Sequence, residues 1–572
     1  MRPVARIHCR TSSWRRPTLI LRELNRLLKE AVETAQRAGA LPAELELPEI
    51  ILERPKQANL GDYATPLALQ LAGKVGRRPL EVAETIVAHF PTTPMLAKVQ
   101  AARPGFINFT LSQEWIARQV DTILAAGETF GNIDLGKGKK TQVEFVSVNP
   151  TGPLHIGSAR NAVIGDTLAN VLQAAGYNVY REYYINDRGT QFDNFAATAY
   201  VRYVQALGID EPMPEAGYFG QYMIELGRQL AAEYGDKFLH MPREEATRQL
   251  GEIALERTVA GIRQDLELIG VYYDCWFSER SLYQDDTFQK VMDILRAAGM
   301  VEEREGAVWF TATKLGGDKD EVLIRSDGTP GYFASDIAYH YNKFVVRGFE
   351  WVIDVWGADH QGHVPRMKIM MQALGLDPDR LTLLLYQLVT LKRGGEVVRL
   401  SKRTGDLITL REVVEEVGPD AVRFFLLSRA AESQMDFDLE LAKEHSNENP
   451  VYYVQYAHAR IASILRKAGD IDYSAGDTSL LQHPSEIALI REMLRLPEII
   501  ELAATRLAPH HLTYYAMDLA SAFHAFYRDC RVLSSLPEDE AITKARLKLV
   551  AATKLVLAKV LRLMGMSAPE TM

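Results

Sequence analysis

The pattern of apolar and polar positions changes several times along the chain. From about residue 19, leucine and alanine recur at three- and four-residue spacing up to Gly39, which predicts an amphipathic helix. The segment 103–112 has the apolar, aromatic character of a strand. These patterns, with a mixed segment between them, predict a small α+β domain over residues 18–130.

A strand, a turn, a helix and a second strand then follow in order. The apolar stretch 142–148 predicts a strand, and a Pro/Gly turn runs over 149–158. A helical pattern covers 159–175 and ends at Gly176, and a second strand is predicted at 178–186. Because such a βαβ unit indicates a doubly wound parallel sheet, we expect a Rossmann-like α/β domain over residues 131–407.

Two further regions are predicted to be helical. Residues from about 190 to 260 are mostly polar with helical spacing, which indicates an insertion in the α/β domain. From residue 408 onward, apolar residues fall at helical spacing almost throughout, for example Ile499, Leu502 and Ala503. We expect a linker over 408–445 and an all-α helical bundle over 446–572.

Composition restricts the class of protein without identifying it. A chain of 572 residues is too long for one core, and its 47% hydrophobic content is ordinary for a globular protein. No apolar run approaches the roughly 20 residues that a membrane helix needs. Three distant cysteines indicate a reducing compartment, and we predict a cytoplasmic protein. A net charge of −9 leaves local basic, nucleic-acid-binding surfaces open.

The first 22 residues contain six arginines, and no acidic residue precedes Glu23. This composition overlaps with that of organelle transit peptides. The simpler interpretation is a short disordered basic tail or an upstream start codon, and we interpret residues 1–17 in that way.

The turn that ends in 155-HIGS-158 is the first candidate site of chemistry. Backbone N–H groups at the start of the following helix can hold a phosphate, and His155 can add a donor as charge develops. Gly157 lacks a Cβ where a nucleotide would lie against the backbone. Alone, the motif is also compatible with an ordinary turn.

The second candidate is 399-RLSKRTG-405, which follows the glycine-containing segment 392-KRGGEVV-398. A mobile basic loop of this kind can close over a polyphosphate, and Lys402 would supply a point charge. Alone, this segment is better explained as a solvated basic loop.

Taken together, the two motifs resemble the signature sequences of class I aminoacyl-tRNA synthetases. Longer stretches are similar to the arginyl-tRNA synthetases in particular, from about residue 18 to the C-terminus. These stretches are 144-EFVSVNPTGPLHIGSARNAVIGD-166, 182-EYYINDRGTQ-191, 420-DAVRFFLLSRA-430, 438-DLELAKEHSNENPVYYVQYAHARI-461 and 563-LMGMSAPETM-572.

The chain departs from that family's pattern at three positions. Ser158 stands where the first signature usually ends in a second histidine, and a serine can donate a hydrogen bond but carries no charge. This predicts lowered ATP affinity or turnover. In the second signature, Arg399 and Leu400 replace the common Lys and Met, whereas Lys402 is retained.

The resemblance implies ATP-dependent activation of L-arginine and its transfer to the terminal adenosine of arginine tRNA. It implies that Glu144 and Asp336 bind the guanidinium and that Tyr332 forms a pocket wall. Ser147, Asn149 and Gln361 would lie near the α-amino and carboxyl groups. From the residues alone, Glu144 could instead be a structural ion-pair partner and Asp336 a helix cap.

The nucleotide site implied by the resemblance contains both signatures and the strand end at 357-GADHQGH-363. His155 and Lys402 are the expected catalytic residues. The expected ATP-binding residues are His155, Gly157, Ser158, Gly357, Asp359, His360, Leu400 and Lys402. ATP would arrive with Mg²⁺ as a substrate complex. The His/Asp/His cluster at 359–363 also suggests a metal site, but we expect no protein-bound structural metal.

For tRNA, the resemblance implies a D-loop-recognition domain at 18–130, a stem-contact linker at 408–445 and an anticodon-binding bundle at 446–572. Arg103, Phe106 and Asn108 would contact the D-loop, and Tyr453 and Tyr456 would stack on bases. These aromatic residues could equally be core residues. The family also implies a monomer, and no contact with membranes is expected.

Two other functions stay open at this level. A different class I synthetase or a related nucleotidyltransferase is one, although a cysteinyl enzyme would need metal-binding thiols that the sequence lacks. A tRNA-binding relative without catalysis is the other, suggested by Ser158 alone. The presence of Lys402, Glu144 and Asp336 favours an active enzyme.

Overall fold

A computed structural model describes residues 20–55, 57–398 and 408–572 of the chain. The basic tail at 1–17 lies outside the described residues. So do Leu400 and Lys402 of the second signature.

The N-terminal region is a three-stranded antiparallel sheet packed with four helices, with the strand order β1-β3-β2. Its elements are α1 (Ile20–Arg37), β1 (Tyr63–Thr65), α2 (Leu67–Val75), α3 (Pro79–Ala88), β2 (Leu96–Ala102), β3 (Phe106–Leu111) and α4 (Gln113–Ala126). As the sequence predicts, α1 buries one leucine- and alanine-rich face, which includes Leu24, Leu28 and Ala31.

The central region alternates strands and helices. Its strands are β4 (Lys140–Glu144), β5 (Asn178–Ile185), β6 (Cys275–Ser278), β7 (Val301–Arg304), β8 (Ala307–Phe310), β9 (Glu321–Ile324), β10 (Trp351–Gly357), β11 (Leu381–Tyr386), β12 (Val389–Arg393), β13 (Glu396–Val397) and β14 (Met435–Asp438). Its helices are α5 (Ile156–Ala174), α6 (Thr190–Ala206), α7 (Gln221–Tyr234), α8 (Arg243–Leu268), α9 (Ser281–Gln284), α10 (Thr287–Ala297), α11 (Tyr332–Tyr341), α12 (Val364–Ala373), α13 (Leu410–Val417), α14 (Pro419–Leu427) and α15 (Leu439–Lys443).

Five of these strands form one parallel sheet in the order β11-β10-β4-β5-β6. From β4 the chain moves through β5 to β6 on one side, and later returns to β10 and β11 on the other side. The strand order therefore reverses between β4 and β10. In open α/β sheets, ligands bind beyond the carboxyl ends of the strands at such a reversal.

The insertion is helical, and its apolar core is separate from that of the sheet. Helices α6, α7 and α8 enclose a cluster that includes Phe195, Tyr203, Met223 and Leu250. The helices approach closely because Gly227 carries no side chain. A Cβ added there would lie 2.5 Å from the backbone of Arg202.

The C-terminal region is the expected helical bundle. It comprises α16 (Pro450–Ala468), α17 (Pro484–Met493), α18 (Leu496–Arg506), α19 (His511–Asp529) and α20 (Glu540–Leu563). One part of the region after residue 408 differs from the prediction, because β14 pairs in parallel with β12. Among the described helices, none has the length and apolar content to cross a membrane.

Polar contacts fasten the N-terminal domain to the C-terminal bundle. Arg54 pairs with Glu498 on α18 at 3.1 Å, and Arg491 on α17 pairs with Asp62 at 2.9 Å. Helix α20 contributes two further pairs, Lys548 with Asp121 at 2.6 Å and Arg562 with Glu128 at 2.8 Å.

The strand predicted at 142–148 ends earlier, at Glu144. Val146 and Ser147 have φ values of 68° and 42°, a left-handed conformation that breaks the strand and is strained for a β-branched residue. The N–H of Val146 donates to Asn161 of α5 rather than to a neighbouring strand. A hydrogen bond to the side chain of Asn161 therefore replaces the strand-to-strand hydrogen bond that Val146 would make in a longer β4.

Candidate active site

Three carboxylates lie in one row across the middle of the parallel sheet. In the strand register, Glu144 of β4 is paired with Asp354 of β10 on one side and with Glu182 of β5 on the other. All three are buried. Buried carboxylates need partners, and helix α11 with the turn that follows it supplies them.

Lys343 is the central partner. Its ammonium is fully buried and donates to Asp354 Oδ1 at 2.8 Å and to Glu144 Oε2. His340 Nε2 lies 2.9 Å from the other oxygen of Asp354. Glu182 has its own partners, because Arg347 pairs with it and the Tyr339 hydroxyl donates to it at 2.6 Å.

This network sets the protonation of its members. Burial alone would lower the pKa of Lys343, but Asp354 and Glu144 raise it above its ordinary value. Burial would raise the pKa of Asp354, but Lys343 and His340 lower it to about 2. The pKa of Glu144 is raised, because its burial outweighs the stabilising charge of Lys343.

Asp336 approaches the same network from α11. The helix begins at Tyr332, so Tyr332 and Asp336 lie one turn apart on one face, as the sequence predicts. Burial raises the pKa of Asp336, and Asp354 and Lys343 are among the charges that act on it. Tyr332 at the helix start is 53% exposed.

Tyr184 of β5 lies among the acids. Burial raises its pKa far above the ordinary value, and the charges of Glu279, Asp336 and Glu144 raise it further. Glu144 and Asp336 therefore lie on the same side of the molecule, around one tyrosine and one lysine.

Glu279 is an acidic residue of this site that the sequence analysis did not identify. Its Oε1 accepts from the hydroxyl of Ser335, the neighbour of Asp336, at 2.6 Å. Burial is the main cause that raises the pKa of Glu279 to about 7, and Asp336 adds to it.

The loop from 145 to 154 leads from Glu144 to the first signature. Ser147 Oγ accepts from the N–H of Tyr184 at 3.0 Å, and the amide of Asn149 lies 3.0 Å from that of Asn186. The loop therefore holds Ser147 and Asn149 against β5, next to the acids.

His155 caps the N-terminus of α5. Its Nδ1 accepts from the N–H of Gly157 at 3.1 Å, and its Nε2 lies 3.5 Å from Ser158 Oγ. A Cβ on Gly157 would lie 2.8 Å from the His155 ring, so this glycine makes room for the histidine itself. Ser158 is 3% exposed.

Strand β10 ends at Gly357 and continues into a short 3₁₀-helix, Ala358–His363, that holds Asp359, His360 and Gln361. Asp359, His360 and Gln361 are exposed there. Asn161 of α5 ties this strand end to the first signature, because its amide donates to the carbonyl of Val355 at 3.0 Å. Among the described residues, no group of three or more His, Cys, Asp or Glu is placed to hold a metal ion.

The two regions assigned to RNA contacts present different surfaces. In β3, Ile107 and Phe109 are buried in the core, while Phe106 and Asn108 alternate onto the other face. Arg103, before this strand, is exposed. Phe106 is partly buried, and Asn108 is 6% exposed.

The C-terminal bundle contains a basic, aromatic cleft of about 850 Å³ between α16 and α19, lined among others by Tyr456 and Tyr527. The Arg460 guanidinium lies over these two rings, 4.6 Å and 4.9 Å from their centroids. A second cavity of about 780 Å³ adjoins it and includes Tyr453, whose ring packs on His524.

Family models match nearly all of this architecture. Residues 22–111 match the arginyl tRNA synthetase N-terminal domain. Residues 119–219 and 244–456 match the catalytic domain of class I (R) tRNA synthetases, and residues 454–572 match the DALR anticodon binding domain. The chain belongs to the arginine–tRNA ligases.

Full-length relatives agree with this assignment. The chain is 56% identical over 547 residues to an arginine–tRNA ligase of Dehalococcoides mccartyi strain CBDB1, covering 95% of this chain and 98% of that one. It is 46% identical over 562 residues to that of Bacillus subtilis strain 168, covering 97% and 100%. The fold is similar to the solved Thermus thermophilus arginyl-tRNA synthetase, with a TM-score of 0.74 at 24% identity over 96% of this chain and 100% of that chain.

The predicted family, fold class and activity are thereby confirmed. The protein is a class I ligase that uses ATP to attach arginine to arginine tRNA.

Proposed function

We propose that Glu144 and Asp336 form the guanidinium site of the arginine pocket, with Tyr332 as its exposed wall. The observation that carries this proposal is the convergence of both carboxylates on Lys343, Asp354 and Tyr184 at the reversal of the strand order. Lys343 donates a hydrogen bond to Oε2 of Glu144, which leaves Oε1 as the oxygen that we propose binds the guanidinium of the substrate.

The chemistry of the substrate supports this assignment. A guanidinium is planar and permanently charged, and its five N–H groups form a fork that pairs well with carboxylates. Two acids that approach from different elements can meet two edges of that fork. A lysine substrate would satisfy the charge but leave part of the geometry unmet. This predicts selection of arginine in one step, without editing.

The reacting end of arginine would lie along the loop after β4. Ser147, Asn149 and Gln361 are proposed to hold the α-amino and carboxyl groups. The contacts of Ser147 and Asn149 with β5 support this, because they fix both side chains close to Glu144.

ATP would lie across the N-terminus of α5 and the end of β10. His155, Gly157 and Ser158 are proposed to contact the phosphates, helped by the helix dipole. Gly357, Asp359 and His360 are proposed to hold the nucleoside. Leu400 and Lys402, outside the described residues, would complete the site from the second signature loop, and Mg²⁺ would enter bound to ATP.

In the proposed reaction, the arginine carboxylate attacks the α-phosphate, and arginyl-adenylate forms as pyrophosphate leaves. The protein positions both substrates and stabilises the developing charge through His155 and Lys402, so no protein nucleophile is needed. A ribose hydroxyl of the terminal tRNA adenosine, the 2′-OH by class resemblance, then attacks the activated carbonyl. AMP leaves in this second step.

The RNA contacts are proposed on both outer domains. Tyr453 and Tyr456, beside Arg460, would stack on anticodon-loop bases in the cleft of residues 446–572. Arg103, Phe106 and Asn108 of the domain at 18–130 would contact the D-loop, and the linker at 408–445 the stem. We further propose a monomer that works in the cytoplasm.

The arginine pocket is tested by arginine-dependent exchange of pyrophosphate into ATP, measured with tRNA present. Glu144→Gln is expected to raise the KM for arginine more than about tenfold, because a charge-assisted hydrogen bond is lost. Glu182→Gln is the matched control, since this neighbouring acid is held by Arg347 and Tyr339. An equal rise in both variants would refute the pocket.

A further inference from the structure

Three tyrosine hydroxyls hold the loop that joins Glu144 to His155. Tyr273 donates to the carbonyl of Phe145 at 3.1 Å, and Tyr183 donates to the carbonyl of Val148 at 2.9 Å. Tyr222 donates to the carbonyl of Thr151 at 2.7 Å. The loop is not part of the parallel sheet, so these three carbonyl groups accept hydrogen bonds from tyrosine hydroxyls and not from the backbone of a neighbouring strand.

Tyr222 differs from the other two in its origin. Tyr183 belongs to the sheet, and Tyr273 lies just before β6, whereas Tyr222 comes from α7 of the insertion. Its neighbour Met223 is buried in the separate core of the insertion. Helix α7 also lies within residues 220–243, the stretch that the match to the catalytic family model leaves out.

The ring of Tyr222 closes on the turn as well. A Cβ added at Gly152 would lie 2.9 Å from its Cζ, so the ring lies directly against this glycine. Burial raises the pKa of Tyr222 to about 12, and the hydroxyl therefore stays protonated and able to donate near neutral pH. A hydrogen bond and a ring contact together fix the position of the Thr151–Gly152 turn.

We infer that Tyr222 is a positioning residue for adenylate formation, through which α7 fixes the turn that leads into His155. Tyr222 acts through the backbone of the turn. When the hydroxyl of Tyr222 is removed, the Thr151 carbonyl accepts a hydrogen bond from water instead, and the Thr151–Gly152 turn samples more conformations. His155 is then less often in position to contact the phosphate. This inference rests on the proposed role of His155 in ATP binding.

The test compares Tyr222→Phe with Tyr203→Phe in the full-length protein. Tyr203 of α6 is the matched control. Its hydroxyl donates to the carbonyl of Gly235 at the C-terminal end of α7 and does not reach the Thr151–Gly152 turn. Tyr222→Phe is expected to lower kcat for pyrophosphate exchange about five- to tenfold, the effect of losing one hydrogen bond. The KM for arginine should stay within about twofold, and Tyr203→Phe should keep the parent kcat.

Gly152→Ala provides a second variant, because its Cβ displaces the Tyr222 ring while the hydroxyl group remains. It is expected to lower kcat in the same direction. Thermal unfolding of all variants distinguishes a destabilised protein from a folded protein in which the Thr151–Gly152 turn is displaced. Unchanged kcat in both Tyr222→Phe and Gly152→Ala would overturn the inference, and so would equal losses in Tyr222→Phe and Tyr203→Phe.

The variant His155→Ala distinguishes the proposed role of His155 from that of Tyr222. If His155→Ala retains full exchange, the proposed role of His155 fails, and the inference fails with it. If His155→Ala loses exchange while Tyr222→Phe and Gly152→Ala do not, only the inference about Tyr222 fails.

Discussion

Glu144 and Asp354 lie opposite each other on adjacent parallel strands, and the ammonium of Lys343 donates to both. One buried cation thus serves two acids from different halves of the sheet. The candidate arginine site is built directly on this arrangement, so its stability and its function are linked.

Lys343→Met should destabilise the protein strongly. The change leaves Glu144 and Asp354 buried without their cation, and breaking a buried pair in this way costs about 3–5 kcal/mol. The free energy of unfolding in urea measures the effect. Lys319→Met is the control, because its contact with Glu321 is on the surface and should contribute little. Similar losses in the two variants would mean that the buried network is not a stabilising element.

Asp336→Asn should raise the KM for arginine about 10- to 100-fold and change the KM for ATP less than about twofold. The variant keeps the shape of the side chain but loses the charge that a guanidinium needs. Steady-state exchange kinetics with each substrate varied in turn measure both values. Asp359→Asn, at the proposed ribose contact, should show the reverse pattern, and equal effects on both substrates would contradict the assignment.

The pH dependence of stability should reveal Glu279. Its pKa is raised from the ordinary value of 4.5 to about 7, mainly by burial. Between these values the folded protein binds more protons than the unfolded chain, so the contribution of Glu279 to stability falls as pH rises through this window. Glu279→Gln should lack this fall, and above about pH 7 the two stability curves should run parallel.

Urea unfolding at a series of pH values provides the comparison. The other groups titrate alike in both proteins, so the difference curve isolates Glu279. A difference curve that is flat between pH 4.5 and 7 would show that Glu279 titrates normally.

Arg460→Gln should weaken tRNA binding and make it less sensitive to salt. The guanidinium lies over Tyr456 and Tyr527 in the basic cleft, where it can meet a phosphate or a stacked base. Loss of one phosphate contact reduces the slope of log affinity against log salt by about 1. Arg26→Gln on α1 is the control, since Arg26 is already paired with Glu23 and Glu30. An unchanged slope in Arg460→Gln would place the RNA elsewhere.

Much of the fold could be predicted from periodicity. The burial of α1, the βαβ unit around α5 and the helical bundle all follow from the spacing of apolar residues. The early end of β4 did not follow, because it depends on Asn161 and on tyrosines that are distant in sequence. The short strand β14 was missed for a similar reason, since its partner β12 is what makes it a strand.

The candidate site could be predicted only in part. Glu144 is recognisable in the sequence as an acid within an apolar strand, and Asp354 in V-I-D-V carries the same signal. Lys343 and Glu279 carry no such signal, because each is an ordinary residue until the fold places it among acids. Tyr222 lies in the insertion, whose contact with the first signature only the tertiary structure reveals.

The ion pairs between the N-terminal domain and the bundle have a consequence for how the protein recognises the dimensions of a tRNA. Arg54, Arg491, Lys548 and Arg562 each form an ion pair that joins the two outer domains. If both domains carry RNA contacts, the distance between them has to match the distance between the two parts of the tRNA that they contact. We therefore expect the protein to bind poorly to a tRNA whose arms have the wrong length, even when every nucleotide that it contacts is correct.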